Sequence, residues 1–327
     1  MIEVLQEIDH ITLNFSDNGK MFLNLTIALI MFGVALDINL SDFVSLSKKP
    51  KPALVGILSQ FLIMPLATFL LAFSLGGVIT PTIGLGMILV AACPGGNISN
   101  FISSLAKGNV ALSVSLTAFS SLGGIILTPL NFTFWGNLYI KYYSGNASAD
   151  LVRDLNIDVL DVLQTIVIIL GIPLALGLAF KIKLPRITAK ILNPIKRFSI
   201  FAFLSIIVII FSSNVDLFVT YIPYIFFIVL AHNALALSLG YGTGKIFGLD
   251  KRNNKTLAIE TGIQNSGLAL ALLFNPDIFP QDLAIGGMAF IAAWWGVWHI
   301  ISGLTMAGFW SGFSFKKVDE EINIEPV

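Results

Sequence analysis

The 327-residue sequence predicts an all-α polytopic membrane protein, with nine transmembrane helices, an inverted repeat and two broken helices that cross. Three observations predict it. Side chains are 56% hydrophobic and only 12% charged, against about 25% charged in an average soluble domain. With 26 Phe and a mean hydropathy of +0.86, a water-soluble fold of this size could not hide its apolar surface. Nine segments approach the ~20 apolar residues that a bilayer-crossing helix needs, and Gly-rich polar stretches interrupt two of them.

Taken in order, the chain opens on MIEVLQEIDH, which is acidic and lacks the basic region that precedes the apolar stretch of a cleavable signal peptide. Residues 1–20 are expected to lie outside. The membrane domain, 21–312, holds spans at 21–38, 52–75, 80–106, 109–130, 159–181, 197–213, 217–240, 255–275 and 283–312. With the N-terminus outside, only Lys20, Lys141 and Arg153 of the 19 basic residues fall outside, and the rest lie on the cytoplasmic side. That asymmetry predicts a multi-pass cell-membrane protein, N-terminus out, with residues 313–327 as a cytoplasmic tail. It also supports an odd span count, because losing one span would invert every later loop. The largest outside segment, 131–158, contains a sequon at Asn146, a triplet common by chance. Cys93 is the single cysteine, so no disulfide within the chain is possible.

The third span breaks at ACPGGNISN (92–100) and the eighth at ETGIQNSG (260–267). Each follows a span with polar residues at mid-depth, Gln60 in one case and His232 with Asn233 in the other, and each precedes one further span. The two broken spans run in opposite directions through the membrane, which is the mark of an inverted repeat and points to a transporter's site. A break frees backbone N–H and C=O groups that lipid cannot satisfy, so they must face protein, water or ligand.

Glu260 is the one acidic residue deep within a span, and no Lys or Arg lies at matching depth. Its counter-ion must be a proton or a metal cation. Nearby ligand types are hard oxygens: Gln60, Ser99, Asn100, Ser113, Thr117 and Gln264. One carboxylate among neutral oxygens suits Na⁺ better than Ca²⁺. Ser113 and Thr117 share a helix face, although back-bonding to the preceding turn would account for either one alone. His232 and Cys93 read as structural. GYGTGK (240–245) lacks the spacing of a phosphate loop. No nucleophile–base pair, zinc motif or dinucleotide fingerprint appears, so no enzyme is expected, and no nucleic-acid partner.

The stretches CPGGNISNFISSLAKGNVALSVSLT (93–117), SQFLIMP (59–65), ETGIQNSGLALAL (260–272) and VWHIISG (297–303) resemble the bile acid:sodium symporter family, with the likeness running from about residue 20 to 312. The resemblance implies the nine-span form, in which a core of spans 2–4 and 7–9 moves against a panel of spans 1, 5 and 6. It implies one Na⁺ site from Ser99, Asn100, Ser113, Thr117 and Glu260, and a second from Gln60, Glu260, Gln264 and the carbonyls of Thr261 and Ile263. It places the substrate near Asn97, Ile98, Ser99, Asn265 and His299. The expected activity is symport of an organic anion, a bile acid or a smaller carboxylate, with two Na⁺, by a monomer without organic cofactor. A proton-coupled or uncoupled carrier and a ligand-binding membrane sensor are the alternatives.

Overall fold

The computed structural model describes residues 2–11, 17–38, 50–96, 98–143, 157–212, 214–275, 278–279 and 283–312. Among them the regular structure is helical throughout. It begins with a short amphipathic helix, α1 (Ile2–Asp9), followed by α2 (Asp17–Asp37) and α3 (Pro50–Ser74). The third expected span forms two pieces, α4 (Pro81–Ala92) and α5 (Ser99–Leu105), ahead of the long α6 (Val110–Tyr143). Then come α7 (Val159–Lys183), α8 (Pro185–Ser212) and α9 (Val215–Ile246). The eighth span is also in two pieces, α10 (Lys251–Gly262) and α11 (Ser266–Leu273), and α12 (Gly286–Ser311) follows. Six of these helices, α2, α3, α6, α7, α9 and α12, are long and apolar enough to cross a membrane by themselves.

Two helices change pitch for an identifiable reason. In α3 the residues Ser59–Ile63 form a π segment, and Met64 N–H reaches back to the carbonyl of Ser59. Pro65 follows directly, and its ring would clash with the carbonyl four residues before it, so the wider turn absorbs the strain. The same device recurs in α7, where Val167–Gly171 is π-helical just before Pro173. The first of these bulges contains Gln60.

Helices α3 to α6 pack on α9 to α12, while α2, α7 and α8 pack chiefly on one another. Small residues permit the closest approaches. A Cβ at Gly86 of α4 would lie 2.7 Å from Met288 Cα of α12. In α9, Gly240 and Gly244 stand one turn apart, and Cβ atoms there would strike Leu257, Ala258 and Asn254 of α10. The glycines of GYGTGK thus make a helix–helix seam inside α9. The interior of α4 is buried on every side, from Pro81 to Ala92, as is all of α11. Both broken helices therefore run through the middle of the molecule, where their open ends meet protein.

Candidate functional site

The two breaks meet. Gly95 and Gln264 form an isolated antiparallel bridge. Gly96 N–H donates to the Ile263 carbonyl at 2.7 Å, and Asn265 N–H donates to the Pro94 carbonyl at 2.9 Å. Backbone groups freed by one break are thus satisfied by the other, which answers the cost of interrupting a helix in an apolar setting. Close contact requires a bare backbone: a Cβ at Gly96 would sit 3.1 Å from the Gln264 carbonyl oxygen.

Glu260 lies on the last turn of α10, 5% exposed, directly beside this crossing. Its Oε1 accepts a hydrogen bond from Ser113, and Thr117 donates to Oε2 at 3.1 Å. Thr117 also lies 3.1 Å from Asn100 Oδ1 and 3.2 Å from Ser99 Oγ, and the Ser103 hydroxyl lies 3.1 Å from Ser113 Oγ. Back-bonding, which would have explained Ser113 and Thr117 singly, is instead what Ser115 does, donating to the Ala111 carbonyl at 2.8 Å. Ser99, Asn100, Ser113, Thr117 and Glu260 therefore converge from α5, α6 and α10 into one cluster of oxygens. Glu260 is held by neutral hydroxyls and, among the described residues, by no cationic side chain.

A second polar group adjoins it. The Gln60 amide donates to Gln264 Oε1 at 2.8 Å and to the Cys93 carbonyl at 3.1 Å. Gln264 in turn donates to the Thr261 carbonyl at 2.8 Å, and Ser59 and Thr261 share a hydroxyl contact of 2.9 Å. The carbonyls of Thr261 and Ile263 each carry one internal hydrogen bond and keep a second lone pair. Gln60, Gly95, Ser120 and Glu260 are among the residues that line a small cleft here.

The residues expected near the substrate are more dispersed. Asn97 lies outside the described residues. Ile98 and Ser99 open α5, and Asn265 caps α11 by accepting from Leu268 N–H at 3.1 Å. His299 is buried on α12, with no hydrogen-bond partner at Nδ1 among the described residues. One turn further on, Gly303 meets the second break and α5: a Cβ there would lie 2.9 Å from Ile263 and 3.0 Å from Ile102. His232 packs on Trp295 and pairs with Thr68 at 2.8 Å.

The sequence reading placed Asn233 at mid-span but not its contacts, and it did not name Ser302, Ser103 or the π turn. Asn233 of α9 donates to the Gly262 carbonyl at 2.8 Å, satisfying the open end of α10, and Ser302 of α12 fixes Asn233 at 2.5 Å. Ser103 braces Ser113. The π turn widens α3 at Gln60. A polar residue at mid-span was the only signal for Asn233; for the π turn, the signal was Pro65.

The profile of the "Sodium Bile acid symporter family" matches residues 24–221. The chain is 32% identical to the "Uncharacterized sodium-dependent transporter YocS" of Bacillus subtilis (strain 168), over 92% of this chain and 85% of that protein. It is 30% identical to the ileal sodium/bile acid cotransporter of Homo sapiens, over 84% of this chain and 77% of that one. It is 28% identical to the probable sodium/metabolite cotransporter BASS1, chloroplastic, of Arabidopsis thaliana, over 90% and 68%.

Proposed function

Because the chain belongs to the sodium bile acid symporter family, a family of membrane transporters and not of enzymes, we propose that it carries an organic anion across the cell membrane together with two Na⁺ ions. The observation that supports this most is Glu260: a buried carboxylate, ringed by hydroxyl and amide oxygens, at the crossing of two broken helices.

In this reading Ser99, Asn100, Ser113, Thr117 and Glu260 hold the first Na⁺. The hydroxyls that now donate to Glu260 rotate and present lone pairs to the ion. Gln60, Glu260, Gln264 and the carbonyls of Thr261 and Ile263 hold the second. Both ions bridge groups from different helices, so binding orders the crossing and relieves the charge on Glu260. The anion then enters beside Ile98, Ser99, Asn265 and His299, with Asn97 as a further contact. A tenfold Na⁺ gradient is worth about 1.4 kcal/mol per ion. If one net charge moves, 100 mV adds about 2.3 kcal/mol. Together these supply roughly 5 kcal/mol of concentrating power.

The division of packing supports alternating access by rigid groups: α3–α6 with α9–α12 as the core, and α2, α7 and α8 as the panel. We take the working unit as a nine-span monomer, N-terminus outside and C-terminus in the cytoplasm. Its natural cargo in this reading is a bile acid or a smaller carboxylate; the human relative is named for bile acid and the Arabidopsis one for a metabolite. Uptake of candidate carboxylates into proteoliposomes, with Na⁺ replaced by choline outside, tests the proposal. Loss of accumulation in choline supports it. Accumulation that ignores Na⁺ and follows a pH gradient would assign Glu260 to proton coupling instead. Binding without accumulation would make the protein a sensor.

A further inference from the structure

Glu260 is not the only buried carboxylate among the described residues. Asp9, the last residue of α1, has no exposed surface. Its Oδ1 accepts hydrogen bonds from Thr80, at 2.9 Å, and from Thr82, the two hydroxyls that flank Pro81 at the head of α4. Its Oδ2 is equally buried and has no hydrogen-bond partner among the described residues. Leu5 and Ile8 are buried beside it, and α1 lies on α9 and α12. The seat depends on bare backbone. A Cβ at Gly286 would strike the carbonyl oxygens of Ile8, Asp9 and Ile11, and one at Gly287 would meet Thr82 Oγ1 and Asp9 Oδ1. The Gly-Gly pair that opens α12 is what lets α1 dock.

We propose that α1 is a strap across the outer end of the transporter, seated on α4, α9 and α12, and that protonation of Asp9 sets how tightly it holds. The chain continues from this strap into α2, which packs with α7 and α8, so a seated α1 ties one helix group to the other. Its position on the outer face rests on the orientation proposed above.

The direction of the proton effect follows from the surroundings. Burial pushes the Asp9 carboxyl up to about 6 from 3.8, and the hydrogen bonds from Thr82 and Thr80 and the charge of His10 oppose this less strongly. No described cationic side chain is buried with it. Helix α4 and the first ten residues of α12 carry no titratable group. From α9 come Asp216 and Tyr221, and the Tyr221 hydroxyl is turned to Glu7 at 3.5 Å. From α6 come buried Tyr139 and Tyr143 and exposed Lys141, while Glu3, Glu7 and His10 of the strap are exposed. A raised carboxyl pKa means that the docked state binds the proton more tightly than the released state does. Docking is therefore strongest in acid and weakens as pH rises through about 6. The docking constant should fall about tenfold between pH 5 and pH 8.

Hydrogen–deuterium exchange of the purified full chain in Na⁺-free detergent solution tests this, read at the amides of residues 2–11 and corrected for the intrinsic pH dependence of exchange. The wild type should be about tenfold better protected at pH 5 than at pH 8. Asp9→Asn, which cannot ionise, should show the same protection at both. Gly286→Val should lose protection of α1 at both pH values while α10 and α11 stay protected; should those helices open as well, the Asp9→Asn comparison decides alone. Protection in the wild type that does not change with pH, or a change that survives in Asp9→Asn, overturns the proposal. The readout needs neither Na⁺ nor substrate, so it stands or falls separately from the transport reading.

Discussion

Gly95 and Gln264 face each other in an antiparallel backbone bridge, which joins the two interrupted helices at their open ends. A set of buried polar side chains is arranged around that bridge. Gln60 braces it from α3 through the Gln264 side chain, Asn233 closes the end of α10, and Glu260 stands beside it with the hydroxyls of α6.

Thr117→Val keeps the shape of the side chain and removes its hydroxyl. The variant cannot give the ion the oxygen lone pair that Thr117 presents once rotated from Glu260; taking that contact as on the order of a hydrogen bond to a charged group, about 1.5–3 kcal/mol, the apparent Na⁺ affinity should fall by about 10- to 160-fold. Ser113→Ala should act in the same direction. Ser115→Ala, whose hydroxyl bonds its own helix, should leave Na⁺ dependence unchanged. Initial uptake rates measured against Na⁺ concentration make the comparison.

Asn233→Leu should leave the Gly262 carbonyl buried without its donor, at a cost of about 1–3 kcal/mol. The expected result is a lower melting temperature, with a weakened Na⁺ response because the end of α10 is no longer held. Ser302→Ala should show a smaller effect of the same sign, since Ser302 only positions Asn233. Thermal unfolding with and without Na⁺ separates the two contributions.

Gly86→Val should destabilise by about 1–3 kcal/mol or more, because the new side chain meets the backbone of α12 at Met288 and neither helix has room to yield. Gly242→Ala, on the same helix as the Gly240–Gly244 seam but with open space at its Cβ, is the matched control and should be near neutral. Detergent-solubilised thermal unfolding reads both.

Gln60 and Gln264 should be energetically coupled. In a double-mutant cycle with Gln60→Leu and Gln264→Leu, the coupling should be about 0.5–3 kcal/mol. Additive effects, measured by unfolding, would show that the 2.8 Å contact contributes nothing of its own.

What could be read ahead of the structure divides along a physical line. The breaks were legible because Pro94, Gly95, Gly96 and Asn100, and likewise Gly262, Gln264 and Asn265, are out of place in an apolar helix. The spacing of Ser113 and Thr117 put them on one helix face, which is where both meet Glu260. The partners that hold the crossing were not legible. That Asn233 reaches Gly262, or that Gln60 sits on a π turn, depends on how α9 and α3 lie against α10, and an apolar run carries no record of that. Asp9 escaped for a similar reason. On an acidic, amphipathic terminal segment its neighbours Glu3 and Glu7 are exposed, and only the docking of α1 against Gly286 and Gly287 sets it apart.

The most direct test of the central claim, that Glu260 and the surrounding oxygens bind Na⁺, is Na⁺-dependent thermal stabilisation of the purified protein, wild type against Glu260→Gln, with choline as the control cation. The account predicts that saturating Na⁺ raises the melting temperature of the wild type and that choline does not. It predicts no Na⁺ response from a folded Glu260→Gln protein. A Glu260→Gln protein that keeps the full Na⁺-dependent shift would contradict it.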